Sequence, residues 1–214
     1  MKNLLIFYLI ILSALNLVAH HSVSLANDKK VFINAKLGSR YVIDKSNDQL
    51  SFKGEKLVLG GSIHYGFQKH NSIGLAFDYW DDVVGISGVL YTTNLTKLKV
   101  YKVALEYKRD IMGFSNNMSQ WRFGGSLGYY YASLNDQDAI TGERIRKLAK
   151  YRDLGLGILT ELKINFILIW TELSIIRFHS GEKINNNDSV WQNMNVPRFS
   201  FHNLSGGIGL NLQI

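Results

Sequence analysis

The chain has 214 residues, with 24 Lys and Arg against 17 Asp and Glu, a formal charge of +7. It holds no cysteine and one proline, which excludes a disulfide scaffold, Cys-ligated zinc, iron–sulfur clusters, thiol catalysis and Pro-rich linkers. Its 19 Gly, 11 Tyr, 11 Phe and 4 Trp set it apart from disordered chains.

The first segment reads as an address. Met1-Lys2-Asn3 is a short basic start, Leu4 to Ala19 is apolar apart from Ser13 and Asn16, and Ser24-Leu25-Ala26 offers small residues for cleavage. Residues 1–26 are therefore expected to be a cleaved secretory signal, with the mature chain at 27–214. The apolar run is shorter than the ~20 residues a spanning helix needs.

Alternation at period two then marks eight strands. The first, 31–43, sets Val31, Ile33, Ala35 and Leu37 against Asn34, Lys36, Gly38 and Arg40. The second, 55–67, sets Leu57, Leu59, Ile63, Tyr65 and Phe67 against Gly60, Ser62, His64 and Gly66. In 72–82, Ile73, Leu75, Phe77 and Tyr79 oppose Gly74, Ala76 and Asp78; in 96–109, Tyr101, Val103, Leu105 and Tyr107 oppose Lys102, Ala104, Glu106 and Lys108. The fifth, 119–134, sets Trp121, Phe123, Leu127, Tyr129 and Tyr131 against Arg122, Gly124, Ser126 and Gly128. The sixth, 151–164, sets Leu154, Leu156, Ile158 and Leu162 against Gly155, Gly157, Glu161 and Lys163. The seventh, 167–179, sets Ile169, Thr171, Leu173 and Ile175 against Trp170, Glu172 and Ser174; its Ile, Trp and Thr favour strand over helix. The eighth, 199–214, ends with Ile208, Leu210, Leu212 and Ile214 on one face and Gly209, Asn211 and Gln213 on the other.

Connections alternate as well. Those at 44–54, 83–95, 135–150 and 180–198 are long and polar, and those at 68–71, 110–118 and 165–166 are short. Short turns inside and long loops outside are the pattern of bacterial outer-membrane barrels. Tyr65, Phe67, Tyr107, Trp121 and Phe166 fall near the short-turn ends, and Tyr41, Tyr79, Tyr101, Tyr129 and Tyr131 toward the long-loop ends. Such levels of amphipathic rings suit two membrane interfaces.

Together the signal, the eight segments and the ending Ile208–Ile214 resemble small outer-membrane barrels of the OmpA/OmpX type. That resemblance implies an all-β, eight-stranded antiparallel up-and-down transmembrane barrel in the bacterial outer membrane, reached through the periplasm. It also implies that Ile208, Leu210, Leu212 and Ile214 form the strand read by the barrel-assembly machinery. That signal usually ends in an aromatic; here the last residue is Ile214.

The uninterrupted apolar face must then meet lipid. Alternation turns Lys36, Arg40, His64, Asp78, Lys102, Glu106, Arg122, Glu161 and Glu172 into the lumen. Eight strands leave an interior only just wide enough for side chains, so these ions are expected to pair as a network. A symmetric turn near 114 would set Glu106 opposite Arg122. A symmetric turn near 166–167 would set Glu161 opposite Glu172, and then Arg122 or Lys163 would bridge the carboxylates or one of them would hold a proton. Paired carboxylates also occur in glycosidases, but a filled lumen cannot admit a sugar polymer. A narrow pore for ions or small solutes is the porin-like alternative.

A further resemblance concerns His179-Ser180. Lipid A deacylases of the outer membrane are similar in architecture and carry a His-x-Ser pair at this place with a nearby acid, which would be Glu182 here. In this chain His179 and Ser180 are adjacent, so a regular strand turns them to opposite faces, whereas a nucleophile must reach its base. His64, His70 and His202 sit on separate segments without metal-ligand spacing. Gly124-Gly125, Gly155-x-Gly157 and Gly206-Gly207 lie inside strands with no helix following, unlike phosphate loops. No cofactor, metal or nucleic-acid partner is expected. The basic run Arg144, Arg146, Lys147 and Lys150 points instead to outer-membrane lipid, lipopolysaccharide or a host surface ligand met through the loops. The expected role is a structural barrel that presents four outer loops, with the channel and the lipid A hydrolase as alternatives.

Overall fold

The computed structural model describes residues 30–42, 50–52, 56–68, 70–86, 94–113, 119–138, 140–141, 143–178, 181–184, 196 and 199–214. Residues 1–26, expected as a signal, and the pair His179-Ser180 lie outside these residues. Every described segment of regular structure is a strand: β1 (Lys30–Val42), β2 (Leu50–Phe52), β3 (Lys56–Gln68), β4 (Asn71–Ile86), β5 (Asn94–Gly113), β6 (Ser119–Asp138), β7 (Arg144–Ile164), β8 (Ile167–Phe178), β9 (Gly181–Lys183) and β10 (Phe199–Gln213).

Eight of them close a barrel. Around the ring the order is β4, β3, β1, β10, β8, β7, β6, β5, and β5 returns to β4. All pairings are antiparallel, and the first and last strands seal the wall through eleven consecutive partners from Phe32↔Gln213 to Val42↔Asn203. Closure leaves no free barrel edge, so every wall peptide bonds within the protein, as a membrane interior requires.

Burial follows the alternation without a break along β8: Leu168, Trp170, Glu172, Ser174, Ile176 and Phe178 are buried, and the residues between them are exposed. Exposed apolar side chains cover the outer wall, among them Leu75, Phe77, Leu105, Leu127, Leu156, Ile158 and Ile208. Buried positions include Lys36, Arg40, Asp78, Lys102, Glu106, Lys108, Arg122, Glu161 and Glu172. A water-soluble barrel would have the reverse. Along β8 the outward apolar row from Ile167 to Ile175 spans on the order of 20 Å after strand tilt, near the ~25 Å apolar band of outer-membrane barrels.

The wall continues beyond this band. The segment 135–150, read from sequence as a loop, is largely strand: β6 and β7 stay paired up to Gln137↔Arg144, and the Asp138 carboxylate caps the tip by accepting the N–H groups of Ile140 and Thr141, both at 2.8 Å. These bonds hold the Asp138 carboxyl below the usual aspartate range. Register shifts at Leu134/Asn135 and Asp136/Gln137 interrupt the alternation that a sequence reading follows. Likewise β4 runs to Ile86 and β5 begins at Asn94. The short strands β2 and β9 extend the outer wall by pairing with β4 and β7.

On the other side the turns are tight. Ile164 pairs with Ile167, and Asn165 supplies a left-handed residue at φ 55, which Asn tolerates better than most. Small residues let large ones enter the lumen: a Cβ on Gly128 or Gly155 would stand 2.7 Å from the Tyr130 ring.

Candidate functional site in the barrel lumen

Two register expectations need correction. Arg122 sits opposite Asp110 and Glu161, and Glu106 opposite Ser126 and Gly74. The β5–β6 hairpin pairs Gly113 with Gln120, so its turn is centred near residues 116–117 rather than 114, and Arg122 falls opposite Asp110 instead of Glu106. Because the β7–β8 turn is only Asn165-Phe166, Glu161 faces Trp170 and Glu172 faces Leu159. Glu106, Arg122, Glu161 and Glu172 all point inward, but only Glu106 and Glu161 share a group; Arg122 and Glu172 belong to two others.

At the short-turn mouth, Arg122 Nε donates to Asp110 Oδ1 at 3.0 Å and Nη2 to Gln120 at 2.9 Å. Its guanidinium lies 4.4 Å from the Phe32 ring centre, and Lys163 Nζ approaches the same ring at 5.6 Å. Lys163 reaches Gln213 at 3.4 Å rather than bridging the glutamates.

Deeper in, Glu106 and Glu161 share cations. Lys36 Nζ stands 3.6 Å from each, and Lys108 Nζ lies 2.9 Å from Glu106 and 2.6 Å from Glu161. His64 Nε2 is 3.0 Å from Glu106. The two carboxylates thus come together across two lysines that offset their repulsion.

The next group centres on Lys102. Its Nζ donates to both Glu172 oxygens at 2.6 Å and lies 3.1 Å from Asp78; the Ser126 hydroxyl donates to Glu172 at 2.9 Å. Above it Arg40 pairs with Asp82, donates to Asn203 at 2.8 Å and lies 5.0 Å from the Trp80 ring centre. Lys108, Asp82, Asp110 and Asn203 were not singled out as lumen partners. Lys108 and Asp82 carried a signal, since they share parity with Glu106 and Asp78.

Beyond Arg40 the interior turns apolar. Leu98, Val100, Tyr130, Leu134, Tyr151, Phe178 and Phe199 are buried in one cluster, with the Tyr151 and Phe199 rings 4.7 Å apart and Phe178 and Phe199 4.8 Å apart. A cavity beside Asp78, Lys102, Tyr130 and Glu172 has a volume of about 10 Å³, room for roughly one water. Among the described residues, stacked ion pairs and then this apolar cluster occupy the interior of the barrel.

Of the catalytic candidates, Glu182 is exposed on β9 opposite Lys150, and His179 and Ser180 lie outside the described residues. Among the described residues, no group of three or more His, Asp or Glu side chains could hold a metal. Of the last-strand residues, Ile208 and Ile214 are exposed and Leu210 and Leu212 half-buried on the outer wall.

An apolar exterior, a paired-charge interior and a closed eight-strand ring define a small transmembrane β-barrel. Comparison with solved structures places the fold with the eight-stranded outer-membrane barrels of the OmpA/OmpX type. The attachment invasion locus protein Ail of Yersinia pestis, in complex with the heparin analogue sucrose octasulfate, is similar at TM-score 0.53 and 11% identity, over 87% of this chain and all (100%) of that one. Neisserial surface protein A gives TM-score 0.46 at 11% identity, covering 87% of this chain and 99% of the other. The N-terminal barrel of Pseudomonas aeruginosa OprF gives 0.39 at 12%, covering 86% and 97%. No family model matches the chain, and no curated protein matches it.

Proposed function

We propose that this protein is a closed structural barrel of the bacterial outer membrane that works through its outer end. It is exported on residues 1–26 and crosses the periplasm. The barrel-assembly machinery inserts it by its last strand, where Ile208, Leu210, Leu212 and Ile214 present an unbroken apolar face. The filled lumen carries the reading: among the described residues, ion pairs at four depths and an apolar plug above them occupy the interior, which argues against a continuous path for solute. What faces outward is therefore the part available for work.

That outer end is basic. On the β7 extension Arg144 is exposed and Lys147 and Lys150 are half-buried, an arrangement that supports contact with anionic lipopolysaccharide or an acidic host polymer. The similar barrel Ail is described in complex with a heparin analogue, a polyanion, which supports the same class of surface ligand here.

Reconstituted in a planar bilayer, the barrel should give no steady conductance at moderate voltage. Stable unitary steps would support the channel alternative and defeat the closed-lumen reading. A deletion strain with altered lipid A mass would support the hydrolase alternative; unchanged lipid A is the expected result.

A further inference from the structure

The wall inverts its polarity at one level. Below Tyr101, β5 points Val103, Leu105 and Tyr107 outward and Lys102, Glu106 and Lys108 inward; above it, Lys97 and Lys99 point outward and Leu98 and Val100 are buried. The same change occurs on β7, where outward Leu154 and Leu156 give way to outward Arg152 and Lys150. Tyr79, Tyr101, Tyr131 and Arg152 are successive cross-strand partners at that level, and the Tyr79 and Tyr101 rings stand 5.0 Å apart. This row marks the outer membrane–water interface.

An apolar groove of about 920 Å³ opens on the outer wall directly below it, lined by Leu59, Gly61, Ile63, Phe77, Tyr79 and Tyr101 among others. Gly61 makes the hollow, because its outward side carries no side chain between Leu59 and Ile63. At the head of the groove stand Lys99 and Lys97, with Arg152 two strands farther round, roughly 10 Å away by strand spacing. Among the described residues two carboxylates share this rim: Asp81, the cross-strand partner of Lys99 and 3.9 Å from Lys97, and Glu182, opposite Lys150. Lys97, Lys99, Lys150 and Arg152 outnumber them.

We infer that this face binds one phosphorylated, acylated lipid of the outer leaflet, an acyl chain lying in the Gly61 groove and phosphates held by Lys99, Lys97 and Arg152. The chemistry selects it. Inside the apolar band only a hydrocarbon fits the groove, while the excess of cations at its head calls for an anionic headgroup. The site rests on the outer-membrane placement proposed above and gives its lipid partner a location.

The test uses the full mature barrel in nanodiscs of phosphatidylcholine, with added diphosphorylated lipid A or its dephosphorylated form, read by native mass spectrometry. Lipid A should remain bound and its dephosphorylated form should not. K97E/K99E should weaken lipid A binding at least tenfold. Filling the groove with G61F, or with I63W should G61F fail to fold, should weaken it at least threefold. Unchanged binding in the charge-reversed barrel overturns the site. So does a barrel dimer that G61F abolishes, since the groove's occupant would then be a second copy. Heat-modifiable migration of each variant reports barrel formation separately. Its absence from the parent protein would defeat the membrane reading itself rather than the lipid site.

Discussion

Replacing Lys102 with Met should destabilise the refolded barrel by about 3–5 kcal/mol, the cost typical of removing one partner from a buried ion group. Lys102 is the cation between Glu172 and Asp78, and its side chain is 2% exposed. Without it, both carboxylates remain in the lumen with little beyond the Ser126 hydroxyl to stabilise them. Neutralising the whole group, K102M with D78N and E172Q, should cost less than K102M alone, because no unpaired charge is left behind. Equilibrium urea unfolding in lipid vesicles would measure both, and a K102M/E172Q cycle would give the coupling. Additive effects would mean that the lumen is wet enough to screen these charges. Arg122→Ala should cost less than K102M, since its partner Asp110 reaches the mouth and is 19% exposed.

The second large effect is expected on the outer wall. Ile158 lies mid-strand on β7, 55% exposed, opposite Gly125 and Leu173. Ile158→Arg places a charge near the middle of the hydrocarbon, at a cost of about 2–4 kcal/mol. Leu212→Arg, near the end of β10 beside Ile33, should cost about 0–1 kcal/mol, because a charge near the interface reaches water. Unfolding in vesicles and yield in outer membranes would show the difference. Equal effects at the two positions would place the apolar band elsewhere.

The membrane-embedded part of the fold was legible because lipid imposes a face without charge on each strand, as in Ile167 to Ile175, where Thr171 is the one polar residue, and Ile208 to Ile214. The outer extensions were not. There both sides of the wall are partly covered, Ser133, Leu134, Asn135 and Asp136 being buried in succession, so alternation no longer reports a strand. The inversion at Tyr101 was visible in Lys97-Leu98-Lys99-Val100, but it reads as a strand boundary when only one parity is followed. Parity also told which charges face inward, not which of them meet. Lys102 reaches Glu172 across the barrel, 70 residues along the chain, because strand stagger sets their common height. The β5–β6 turn, centred beyond 114 because Gly113 pairs with Gln120, shifted Arg122 in the same hidden way.

Accessibility along β8 tests the inverted, filled barrel most directly. The chain contains no cysteine, so single nitroxide labels can be placed one at a time from Ile167 to Phe178 in vesicles. Labels at Ile169, Leu173 and Ile175 should collide readily with oxygen, which concentrates in lipid, and those at Trp170, Glu172 and Ser174 with neither oxygen nor a water-soluble nickel complex. High nickel accessibility at the inward positions would show an open aqueous lumen. High nickel accessibility at the outward ones would show a wall facing water. Either result would contradict a closed barrel embedded in the membrane.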